Sequence, residues 1–126
     1  MIDQFFVSAV ADALQIAVPG VFTGAQHTRD EIVLPAVLLK LESDAVVGGP
    51  LFRGTLEANV VSHGVDSTTA EHAQLVLDVD AAMRTLTLDS DVVELYGVVP
   101  TSSIPSIDNN QWHSALSYIV GFGPKP

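Results

Sequence analysis

The sequence predicts an α+β domain, a mostly antiparallel sheet of about four to five strands packed against two amphipathic helices. Three observations predict it. Two segments carry apolar residues at the helical period. Other segments alternate apolar and polar residues, or run through branched aliphatics, over strand lengths. Glycine and proline clusters separate the two kinds. At 126 residues, with no repeat and no break in composition, the chain reads as a single domain spanning 1-126.

The first helix is expected over about residues 2-18. Phe6, Ala9, Val10, Ala13, Leu14 and Ala17 recur on one face, whereas Asp3, Ser8, Asp12 and Gln15 fall mostly elsewhere. Asp3 can cap its start, and Pro19-Gly20 stops it. Residues Val21 to Glu31 are mixed and turn-rich. Ile32 to Glu42 then reads as a strand, with Pro35 placed at an edge or at the strand's mouth because it cannot donate to a ladder. Gly48-Gly49-Pro50 is a turn. A second strand over about residues 51-61 alternates Phe52, Gly54, Leu56, Ala58 and Val60 with Arg53, Thr55, Glu57 and Asn59, the pattern of one buried and one wet face. These two strands are expected to form a hairpin.

A capping box, Thr68-Thr69-Ala70-Glu71, opens the second helix over about residues 68-87. Leu75, Val76, Val79, Ala82, Met83 and Leu86 form its apolar stripe, with Gln74, Asp78 and Arg84 outside it. From Thr69 to Leu86 such a helix is about 27 Å long, enough to cross a small sheet. Strands are expected over about residues 91-99 and 112-122, the last with Leu116, Tyr118, Val120 and Phe122 on one face. The intervening stretch, about 100-111, carries Pro100 and Pro105 among serines and asparagines and reads as a long loop.

Composition narrows the function. Five Lys and Arg against fifteen Asp and Glu give a formal charge of −10, which repels phosphate and disfavours a nucleic-acid-binding module. Hydrophobic residues make up 48% and charged residues 16%, so some apolar surface is expected to await a partner. There is no cysteine, hence no disulfide, thiolate nucleophile or thiolate zinc site. The apolar N-terminal run contains Asp3, Asp12 and Gln15 and lacks a preceding cation, so it is a poor signal peptide and a poor membrane span. A soluble protein made in the cytoplasm is expected.

No catalytic site, metal site or cofactor is predicted. His27, His63, His72 and His113 include no pair at the helical metal spacing, and solvated or capping roles are expected for them. His63, before Gly64, reads as a turn residue. Asp78 with Asp80, and Asp89 with Asp91, read as solvated surface, because residues two apart on a helix do not face each other. No phosphate-binding glycine loop or nucleophile elbow occurs, and Ser102, Ser103 and Ser106 have no assignable base. Trp112, the only tryptophan, is either a core or strand-edge anchor or an interface hot spot.

The order of elements, with Leu34-Pro35-Ala36-Val37 and Trp112 to Val120 carrying most of the likeness, resembles the tail terminator, or tail-completion, proteins of tailed bacteriophages. The resemblance covers nearly the whole chain as a layout. It implies a structural virion protein of the tail and neck, made in the host cytoplasm. Such a protein forms a homo-oligomeric ring, commonly a hexamer, on the last ring of tail tube protein. Its partners would be its own copies, the tube and a head-completion or neck protein. DNA would pass through without specific binding, no membrane would be involved, and an acidic bore would suit that passage. Candidate interface residues are Pro35, Arg53, Glu57, Ile104, Ile107 and Trp112. The competing readings are another neck component, such as a head-completion or stopper protein, and a non-viral α+β module binding a ligand on the sheet face opposite the helices.

Overall fold

In a computed structural model, the described residues are 2–25, 35–48, 51–63, 69–88, 90–108 and 111–124. They form helix α1 (Ile2–Ala17), strands β1 (Phe22–Ala25), β2 (Ala36–Gly48) and β3 (Leu51–His63), helix α2 (Thr69–Arg84), and strands β4 (Val93–Asp108) and β5 (Gln111–Pro124). The fold is α+β, with five strands in the order β1-β2-β3-β5-β4. Only β1 and β2 run parallel, and every other neighbouring pair is antiparallel.

Both helices lie on one face of the sheet. α1 packs against β1, β2, β4 and β5 and touches α2, while α2 packs on β3, β4 and β5. The alternation read in the sequence sets this layer. Gly54, Leu56, Ala58 and Val60 of β3 and Leu116, Tyr118, Val120 and Phe122 of β5 point toward the helices and are buried. α1 meets them with Phe6, Val10 and Leu14, and α2 with Val79 and Met83. Phe6 stacks on Phe122 with ring centroids 4.2 Å apart, and Phe52 stacks on the same ring at 5.9 Å. One aromatic column therefore ties the N-terminal helix to the two central strands. α1 ends where Gly20 takes a φ of 85°, a left-handed conformation that glycine adopts without steric cost.

The largest departure from expectation is the stretch 100–111. It is no loop: β4 continues to Asp108 and β5 begins at Gln111, so most of the stretch forms the arms of a hairpin. Pro100 pairs with Tyr118 and Pro105 with Ser114. Proline is accommodated because β4 is an edge strand, where a missing N–H can face away from the ladder, and irregularities in register at 95/97 and 100/103 absorb the misfit.

β1 is the other departure, a four-residue strand inside the segment read as turn-rich. It is too short to show a period, and its parallel partner lies beyond a connection that local patterning does not report. β2 extends past the expected end at Glu42 to Gly48, β3 past residue 61 to His63, and β4 starts at Val93 rather than at 91. Pro35 directly precedes β2, at its mouth. The capping box at Thr68 and the expected strand residues 32–34 lie outside the described residues, as does the side chain of Asp3.

Candidate functional site

The sheet's far face, away from the helices, changes character from one side to the other. At the start of β2, Ala36 lies opposite Val61 of β3, and both are buried although neither joins the main core. Arg53 and Thr55 farther along β3 are exposed, and Glu57 and Asn59 are half-buried. This is the wet face that the alternation predicted. Toward β4 the face becomes apolar. Val99 lies opposite Ile119, and these two with Tyr96 are 58%, 42% and 53% exposed. Large apolar side chains clustered at a sheet edge are uncommon on a free surface and characteristic of a surface that meets another protein.

On the helix side, two polar clusters interrupt the apolar layer. His72, one turn into α2, is buried between β3 and β5. Its Nδ1 lies 2.5 Å from Ser62 Oγ and its Nε2 2.9 Å from Ser114 Oγ. A neutral imidazole carries one N–H and one lone pair, so it donates to one serine and accepts from the other. Burial, and secondarily the charge of His113, lowers the His72 pKa below the usual histidine value and keeps the ring neutral at pH 7. The Trp112 ring lies over His72 at 6.0 Å, and its indole N–H is buried with no acceptor among the described residues. His72 is thus neither solvated nor a cap. It is a polar pin joining α2 to both central strands. Burial also leaves no open approach to either serine, so the cluster is not arranged as a nucleophile and base.

The second cluster lies in a cleft of about 180 Å³ lined by residues that include Val76, Leu77, Thr101 and Ser117. The Tyr118 hydroxyl donates to Asp80 Oδ1 at 2.7 Å, and Arg84 Nε donates to Asp80 Oδ2 at 2.8 Å. Burial pushes the Asp80 carboxyl up, but the bonds from Tyr118 and Arg84 together with the Arg84 charge outweigh it and hold the carboxyl below the usual range. Burial, then the bond to Asp80 and its charge, drives the Tyr118 phenol far above its usual pKa. Asp80 is therefore a tethered acceptor rather than plain surface, unlike Asp78, which is exposed and bonded by Gln74 at 2.9 Å. Tyr118→Phe removes the donor to this charged acceptor and is expected to cost about 1 kcal/mol. A urea midpoint together with a carboxyl titration checks it: Asp80 should titrate closer to an ordinary aspartate, and an unchanged midpoint and titration would contradict the role.

The structure does not gather the predicted interface residues at one spot. Arg53 and Glu57 lie on the far face and Trp112 on the helix face over His72, while Pro35 sits half-buried at the mouth of β2. Trp112 belongs to an interior strand, not an edge. Ile104 and Ile107 belong to β4 and pair in register with Ala115 and Trp112; their side chains lie outside those described. His27 lies outside the described residues, and His63 closes β3 rather than occupying a turn. Among the described residues no three His, Asp or Glu side chains group as metal ligands, and no helix is long and apolar enough to cross a membrane.

A signal for the buried cluster was present in the sequence. His72 falls on the same helical stripe as Val76, Val79 and Met83, and Ser62 and Ser114 each extend a buried alternation by one step.

No protein-family model matches the chain, and no curated protein sequence matches it. It is similar to solved structures, among them one that superposes with a TM-score of 0.61 at 17% identity, over 99% of this chain and 94% of that one. A likeness at that identity is one of fold: the α+β architecture recurs as a whole, from the first helix to the last strand.

Proposed function

We propose that this chain is a structural virion protein of the tail-terminator kind. Its copies form a ring, a hexamer, that caps the tail tube and joins it to head-completion or neck proteins, with DNA passing through unbound. The observation that carries this reading is the apolar surface of Tyr96, Val99 and Ile119 beside the edge strand β4. It belongs to a chain with few charges and with buried polar clusters that pin the fold rather than offer chemistry. Ring subunits need such a surface, because closed assembly uses patches that are apolar and complementary. The net charge of −10 supports a bore that repels the DNA backbone.

Arrest of tube growth tests the function. Purified tail tube protein is allowed to polymerise with and without this chain, and lengths are measured on negatively stained images. Tubes capped at one end and halted in growth are expected. Tubes that elongate normally and never carry the protein would reject the reading, and a ring with a neutral or basic bore would reject the account of the acidic charge.

A further inference from the structure

We infer that the outer edge of β4 along residues 93–99, unpaired among the described residues, is where the next copy of this chain adds its β1, so that sheets of neighbouring subunits join edge to edge and head to tail. The inference rests on the ring proposed above and names the contact that builds it.

The strand order puts β1 and β4 at opposite edges of the sheet. Their directions matter as much as their positions. β1 runs with β2, β2 against β3, β3 against β5, and β5 against β4. β1 and β4 therefore run in opposite senses. A copy generated by rotation about an axis along the strands brings its β1 beside β4 as an antiparallel neighbour, the more stable ladder. Because the two edges differ, the contact is heterologous, the type that closes into rings.

Protection of the edge is uneven in a way that fits this. Edge strands are usually guarded by proline, lysine or inward charges. In β4 the prolines, Pro100 and Pro105, stand in the second half of the strand. The first half, Val93-Glu94-Leu95-Tyr96-Gly97-Val98-Val99, has no proline and no cation, and Glu94 is its only charge. Exposed Val92, Tyr96 and Val99 line it, and Ile119 continues the apolar surface onto β5. β1, Phe22-Thr23-Gly24-Ala25, carries no charge at all. Copies that each carry −10 repel one another least where their least charged edges meet.

The absence of cysteine makes cross-linking a clean test. Val99→Cys and Gly24→Cys chains are prepared separately and treated with a short bis-maleimide at a concentration where the wild type forms rings. A covalent pair is expected from the mixture and from neither chain alone, and the double variant should give a ladder of linked oligomers. Tyr96→Cys with Gly24→Cys repeats the test from a second position on β4, and circular dichroism confirms that each variant is folded. Linking of Val99→Cys to itself would show a symmetric β4 to β4 contact and overturn the inference, as would no linking by either pair in folded chains that still form rings. If the wild type forms no ring, alone or on tubes, the ring reading itself fails and the inference fails with it.

Discussion

Phe122→Ala is expected to lower the unfolding free energy by about 3–5 kcal/mol, a large part of the roughly 5–15 kcal/mol that a domain of this size has. Phe122 is fully buried and is the shared member of the aromatic column, with Phe6 of α1 stacked on one contact and Phe52 of β3 on another. Truncation removes the transfer energy of the ring and leaves a cavity between a helix and two strands that cannot all move in. Chemical denaturation measures the loss. Phe122→Leu, which keeps most of the volume, should lose clearly less. A cost below about 1 kcal/mol for the alanine variant would mean that α1 is not held by this column.

The second large effect belongs to His72. His72→Leu leaves the Ser62 and Ser114 hydroxyls buried without their partner, and two such losses are expected to cost about 2–4 kcal/mol. Replacing all three residues with apolar ones, as Ser62→Ala, His72→Leu and Ser114→Ala together, should recover much of that, because no polar group is then stranded. The wild type also carries a pH signature. The folded state lowers the His72 pKa below 6.5, so below that pH the unfolded chain binds a proton that the folded chain resists. The His72 contribution is fully present above about pH 6.5 and declines as the pH falls from there toward the lowered folded value. Urea midpoints between pH 7.5 and 5 check it, with His72→Leu losing this component of the slope. Equal slopes in the two proteins would contradict a buried neutral imidazole.

Periodicity made legible what periodicity governs. The stripes through Phe6, Val10 and Leu14 and through Val79 and Met83, and the alternations ending at Val60 and Phe122, are the buried layer of the fold. Local patterning fails where the deciding fact is a strand's neighbour. Pro100 and Pro105 read as loop residues because proline is excluded from interior strands, and only the strand order makes β4 an edge. β1 owes its conformation to β2, across a connection that no local rule reports. At the candidate site, Arg53, Thr55, Glu57 and Asn59 were legible as one face, because alternation assigns faces. The apolar patch was not, since Tyr96 lies at a register irregularity and Val99 meets Ile119 only through pairing. The place of His72 on the apolar stripe signalled its burial, but its partners did not show, because the serines that satisfy it come from two distant strands.

The proposed closed ring is tested by the mass of the protein in solution, measured by native mass spectrometry or sedimentation over a wide concentration range with and without tail tubes. A single closed species of fixed subunit number, a hexamer, forming alone at high concentration or on tube ends, is the predicted result. A protein that stays monomeric at every concentration and leaves the tubes bare would contradict it.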